Sequence, residues 1–178
     1  MADIGHFIRS YQNFQTTFKE ASFDSENSQY LCSDETQSVI NFDNILEDEY
    51  PDSNERPKSF DALFVYDNKI FCIEFKNQKP SRIANQDICE KLTEGKAELD
   101  TLLQRLHIQV AQYDFVYCVA YKKCIESRDR YKCGIDKRKI LFGLEQYKKQ
   151  GLVKEIFTDN IDFFTREFQK QFQKELAC

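Results

Sequence analysis

The sequence predicts an α/β protein whose central mixed β-sheet contains an antiparallel hairpin and is flanked by helices, and three observations carry that expectation. Residues 60–66 (FDALFVY) and 69–76 (KIFCIEFK) are runs of β-branched and aromatic residues separated by Asp67 and Asn68, the composition of a tight hairpin turn. Residues 85–107 set Ile88, Leu92, Leu99, Leu102, Leu103 and Leu106 at helical spacing. Residues 115–121 (FVYCVAY) are almost wholly apolar, which suits a strand buried on both faces and parallel to its neighbour after a helical crossover.

The remaining elements follow in chain order. Ile4, Phe7, Ile8, Tyr11, Phe14 and Phe18 recur three and four apart and predict a helix over 2–20 with one buried stripe. Residues 21–33 are polar and rich in turn formers. Val39, Ile40, Phe42, Ile45 and Leu46 predict a short helix within 34–49, or a strand over part of it, and Pro51, Asn54 and Pro57 mark 50–59 as a loop. Pro80 and Ser81 end the second hairpin strand. Beyond 121 comes a basic stretch, 122–139, then a helix over 140–150 closed by Gly151, a strand over 152–158, and a final helix over 160–176 with Ile161, Phe164, Phe168 and Phe172 on one face. The pattern assigns no third antiparallel strand beside the hairpin.

A chain of 178 residues suits one domain, 1–178, with an acidic helical part (1–56), a core (57–121) and a basic, helix–strand–helix part (122–178). Hydrophobic residues at 41% and charged residues at 31% exclude disorder, collagen and coiled coil as global descriptions. No apolar run approaches the roughly 18 residues of a spanning helix, and MADIGHFIRS has neither the basic nor the apolar region of a secretory signal. A soluble, cytoplasmic protein without a membrane partner is expected. The 7 cysteines are an odd count with no Cys-x-x-Cys pair, so reduced thiols are expected. His6 and His107 have no second histidine nearby and read as structural, and 5 glycines leave no phosphate-binding loop.

The net charge of −5 argues against coating nucleic acid by bulk charge, yet it is unevenly spread. Residues 1–60 hold 12 acidic and 4 basic groups, whereas 61–178 hold 18 acidic and 21 basic. An anionic partner should therefore meet the second part.

Pairing the hairpin through its two-residue turn places Tyr66 opposite Lys69 and Asp61 opposite Glu74, with Lys76 on the same face two residues beyond. Two carboxylates that close repel unless a cation lies between them, and hard oxygen ligands suit Mg²⁺ or Mn²⁺ better than zinc. A lysine beside such an ion can hold or help deprotonate an attacking water, so phosphodiester hydrolysis is the expected chemistry. An Asp followed by Glu-x-Lys is a common spacing by chance; the hairpin register and the apolar setting are what single it out.

Asp61, Glu74 and Lys76, within PKSFDALFVYDNKIFCIEFKN, resemble the PD-(D/E)XK nuclease superfamily, in which an Asp beginning one strand and a Glu-x-Lys ending the next form the metal site. The resemblance spans 57 to about 121. It implies a restriction-endonuclease-like core in which Asp61, Glu74 and the carbonyl of Phe75 bind Mg²⁺ and Lys76 serves the water. Phe60 stands where a proline often precedes the Asp. Many members supply a further acidic ligand from the preceding helix, for which Glu47 and Glu49 are candidates, Glu47 the better.

Residues 121–139 (YKKCIESRDRYKCGIDKRK) hold 8 basic and 3 acidic residues with interleaved tyrosines, a composition that can track a phosphate backbone and stack bases. Lys122 and Lys123 begin this stretch, and Lys79 and Arg82, just beyond Lys76, are placed to contact a scissile strand. The alternative is a catalytically silent nuclease-fold binding module, an immunity or regulatory protein, whose acidic first part would meet a basic protein partner. In a third arrangement that part masks the basic half of its own chain.

Overall fold

The structure, a computed structural model, describes residues 3–123 and 140–178. Six strands form one sheet in the order β1-β4-β5-β6-β7-β8: β1 (Gln15–Thr17), β4 (Ser38–Asn41), β5 (Ala62–Tyr66), β6 (Lys69–Lys76), β7 (Asp114–Tyr121) and β8 (Glu155–Asn160). The first four pair antiparallel, while β7 joins β6 and β8 joins β7 in parallel. The expected mixed α/β sheet is therefore present, and the parallel β6–β7 pair follows a crossover through α4 (Asn85–Arg105).

Each central strand is buried on both faces. Leu63, Ile70, Cys72, Tyr117 and Val119 pack towards α1 (Ile4–Ser10), α3 (Phe42–Glu49) and α4, while Phe64, Phe71, Ile73, Val116 and Cys118 pack towards α2 (Phe18–Ala21) and α6 (Ile161–Phe172). This explains the nearly continuous apolar runs of β6 and β7. On the first face Phe60 stacks on Phe42 at 4.7 Å, and Gly95 of α4 lies so close that a Cβ there would stand 2.9 Å from the Phe60 ring. The missing side chain lets α4 close down on the start of β5, which brings its first turns over the hairpin.

The N-terminal third differs from expectation. The predicted helix over 2–20 is interrupted: α1 ends at Ser10, and Gln15–Thr17 forms β1 against β4, with Thr17 capping α2 by accepting the Glu20 N–H. Two β-branched threonines in succession favour the extended edge over the helix. The loop expected at 21–33 contains a small hairpin, β2 (Phe23–Asp24) with β3 (Gln29–Tyr30). Within 34–49 the strand alternative holds for β4, and Asn41 caps the α3 helix that follows by accepting the Asn44 N–H. β4 is the third antiparallel strand that the pattern did not assign. Near the C-terminus α5 (Glu145–Lys149) and β8 are shorter or later than expected. Among the described residues no helix is long and apolar enough to cross a membrane.

The expectation of reduced thiols is corrected at one pair: Cys32 and Cys178 form a disulfide across 146 residues. Cys72, Cys89 and Cys118 are free thiols, and Cys124 and Cys133 lie outside the described residues. The bond fastens the chain end to the segment before β4, where the Ser33 N–H and hydroxyl donate to the Ala177 carbonyl. Asp34 completes this clamp, accepting from the N–H groups of Ala177, Gln37 and Thr36. Burial pushes the Asp34 carboxyl up, but these hydrogen bonds outweigh it and hold the group below its ordinary value. A depressed folded-state pKa stabilises the fold above the unfolded value, near 4, and that contribution is lost as pH falls through the lower folded one. Asp34→Asn is therefore expected to flatten the loss of stability below about pH 4 in urea titrations, and a slope equal to that of the unaltered protein would contradict this.

Candidate active site

The observed hairpin pairs Tyr66 with Lys69 and Ala62 with Ile73, the register that the two-residue turn dictates. Extended by one residue it sets Asp61 across from Glu74, and the Asp61 Oδ2 accepts the Phe75 N–H at 2.6 Å. Because N–H and C=O of one strand residue point the same way, the Phe75 carbonyl also faces the space where β5 has ended. Asp61, Glu74 and Lys76 thus share the α4 face at the end of the hairpin. They line a polar cleft of about 370 Å³ that is also lined by β2 and the turn after it, Ser22 to Glu26.

A second lysine, which the sequence reading did not single out, completes the group. Lys91, one turn past Asp87 on α4, places its Nζ 2.8 Å from Glu74 Oε1, 3.0 Å from Oε2 and 3.5 Å from Asp61 Oδ1. Lys76 Nζ lies 2.9 Å from Glu74 Oε1 and 3.0 Å from Asp87 Oδ2. Lys58 extends the network to Asp87 and Glu90. The Glu74 side chain is fully buried, and its Oε1 lies between the two ammonium groups. The i, i+4 spacing of Asp87 and Lys91 beside Ile88 and Leu92 of the buried stripe was the available sequence signal.

Electrostatics follow from this crowding. Burial, then the neighbouring Glu74 carboxylate, push the Asp61 carboxyl well above its ordinary value, although Lys91 opposes them. Burial would lower the Lys91 ammonium, but Glu74, Asp61 and Asp43 outweigh it and hold Lys91 above its ordinary value. The same contest, burial against Glu74 and Asp87, leaves Lys76 raised. Both lysines therefore stand as ammonium ions at neutral pH.

On α3, the charge of Asp43 acts on both Asp61 and Lys91, and its carboxylate accepts from the Ser59 hydroxyl. Glu47, one turn on, is exposed and paired with Arg56 at 2.8 Å, and Glu49 pairs with Arg105 at 2.7 Å. Among the α3 carboxylates, Asp43 is the one whose charge reaches Asp61 and Lys91, while Glu47 meets Arg56.

Arg82 is exposed in the turn after β6, and Lys79 is half-buried before it. Lys122 follows β7, its N–H donating to the Lys76 carbonyl and its Nζ 3.4 Å from Gln29 of the small hairpin. Lys123 pairs with Asp162 of α6 at 2.6 Å. The rest of the basic stretch, 124–139, lies outside the described residues.

Among the described residues no three His, Cys, Asp or Glu side chains stand together as a metal cage. The oxygen set at the cleft is smaller: Asp61 Oδ1, the Glu74 carboxylate and the Phe75 carbonyl. Its chemistry, hard oxygens alone, fits a divalent cation that keeps several waters, provided that Lys91 leaves the space between the two carboxylates. Comparison of the chain with family models, curated proteins and solved structures returns no match.

Proposed function

We propose that this protein is a metal-dependent nuclease with a restriction-endonuclease-like core, hydrolysing phosphodiester bonds of DNA or RNA in the cleft beside Asp61, Glu74 and Lys76. The observation that carries the reading is the fully buried Glu74 carboxylate, set against Asp61 and Lys76 on one wall of a polar cleft. A fully buried carboxylate opposite another is a costly arrangement for folding alone, and it is the kind of site where charge is kept for chemistry.

Asp61, Glu74 and the Phe75 carbonyl would hold Mg²⁺ or Mn²⁺, which when bound supplies charge stabilisation at the phosphoryl oxygens and a water of lowered pKa. Lys76, fixed as an ammonium by Glu74 and Asp87, binds a phosphoryl oxygen and stabilises the charge that develops there, rather than accepting a proton. Asp87 keeps it aimed. Arg82, Lys79 and Lys122 surround the exit of β6 and suit flanking phosphates. Cleavage of plasmid, single-stranded DNA and RNA by the purified protein with Mg²⁺ or Mn²⁺, abolished by chelation, tests the reading. Cleavage unchanged in the Asp61→Asn or Lys76→Ala protein would refute it.

One observation favours a second reading. The Lys91 ammonium already neutralises Asp61 and Glu74, so the scaffold can stand without a metal as a silent binding module that meets a basic protein through its acidic first part. Such a module would bind no divalent cation at Asp61.

A further inference from the structure

Lys91 and a divalent cation require the same oxygens. The ammonium lies 2.8 Å from Glu74 Oε1 and 3.5 Å from Asp61 Oδ1, while Mg²⁺ sits about 2.0–2.1 Å from each oxygen it binds, so the two cannot share the space between the carboxylates. Like charge adds to this exclusion. The Lys91 side chain is 18% exposed and lines the same cleft as Asp61 and Glu74, so the cleft is open to its ammonium. A displaced Lys91 therefore moves into the space where a bound nucleic-acid strand would place its phosphates.

We infer that Lys91 is a tethered competitor of the metal, and that a phosphodiester anion in the cleft relieves the competition by accepting the displaced ammonium. The inference rests on the metal-site reading above and adds its regulation: free protein holds the ion weakly, and substrate loads it. Because linkage is reciprocal, the metal must tighten the nucleic acid by the same factor. The device confines an activated water to protein that already holds substrate. It also accounts for a lysine that serves neither the apolar core nor the turn of α4.

The test is Mn²⁺ binding, followed by calorimetry and by the electron paramagnetic resonance of free Mn²⁺, with and without a cleavage-resistant phosphorothioate oligodeoxynucleotide. The unaltered protein is expected to bind Mn²⁺ about 10-fold more tightly with the oligonucleotide present, within the usual range of coupling between sites. Lys91→Met and Lys91→Gln should each bind Mn²⁺ about 10-fold more tightly without the oligonucleotide, and gain less than about 2-fold from it. Lys58→Met removes an equal charge from the same network but touches neither Asp61 nor Glu74, and should shift Mn²⁺ affinity by less than about 2-fold. Circular dichroism identifies the folded variants, and the glutamine variant serves if the methionine variant does not fold. Mn²⁺ affinity unchanged in the folded Lys91 variant, yet lost in Asp61→Asn, would overturn the competition and leave the metal site standing. Absence of Asp61-dependent Mn²⁺ binding in every protein would overturn both.

Discussion

The Lys76→Ala and Asp61→Asn proteins are expected to remain folded and to lose Mg²⁺-dependent cleavage, by about 10²–10³-fold for Lys76→Ala, the usual cost of removing one preorganised charge from a developing oxyanion. Lys76 is 20% exposed at its side chain, and after its removal Glu74 still faces Lys91, so the loss falls on the transition state rather than on the fold. Asp61→Asn keeps an acceptor for the Phe75 N–H while removing the charge that Glu74 repels. Its melting temperature should equal or exceed that of the unaltered protein, and its cleavage should fall further than that of Lys76→Ala. Separating kcat from KM distinguishes the roles: Lys76→Ala should lower kcat with little change in KM. A cleavage rate within about 2-fold of the unaltered protein in either variant would place the chemistry elsewhere.

The largest stability effect is expected at Glu74. Its carboxylate is the common partner of Lys76 and Lys91, and the side chain is fully buried. Glu74→Met preserves the volume but leaves Lys76 to Asp87 alone and Lys91 to Asp61 alone, and breaking a buried ion pair from one side costs up to about 3–5 kcal/mol. Replacing both partners differs, because an apolar pair of similar volume can be neutral or better. The Glu74→Met/Lys91→Met protein should therefore recover part of the loss, and a double-mutant cycle in urea should return a coupling of about 1–3 kcal/mol. Additive effects at these two positions would mean that the Lys91–Glu74 contact carries no energy.

Much of this site was readable in the sequence because a two-residue turn leaves a hairpin little freedom of register. Once Asp67 and Asn68 close the turn, Asp61, Glu74 and Lys76 must share a face, and the structure has them there. Lys91 and Asp43 were not readable in the same way, since their approach depends on how α4 and α3 dock. Gly95 against Phe60, and the Phe60–Phe42 stack, set that docking through contacts between residues far apart in sequence. The strand β1 escaped notice, and β4 was legible only as an alternative to a helix, because three and four residues are too few to display an alternation against the helical spacing around them. The Cys32–Cys178 bond escaped for another reason: its partners are separated by almost the whole chain, and spacing arithmetic sees only near neighbours. Of the acidic excess in the first 60 residues, Glu49 meets a cation from outside that part, Arg105 of α4.

Asp61 and Glu74 are proposed to form a seat for a divalent cation. Crystals soaked in Mn²⁺ together with an oligonucleotide test it most directly, through anomalous scattering. One manganese peak is expected, bounded by Asp61 Oδ1, the Glu74 carboxylate and the Phe75 carbonyl, with the Lys91 ammonium moved off the carboxylates towards a phosphate. Oligonucleotide bound in the cleft with no manganese there, and Lys91 still on Glu74, would contradict it.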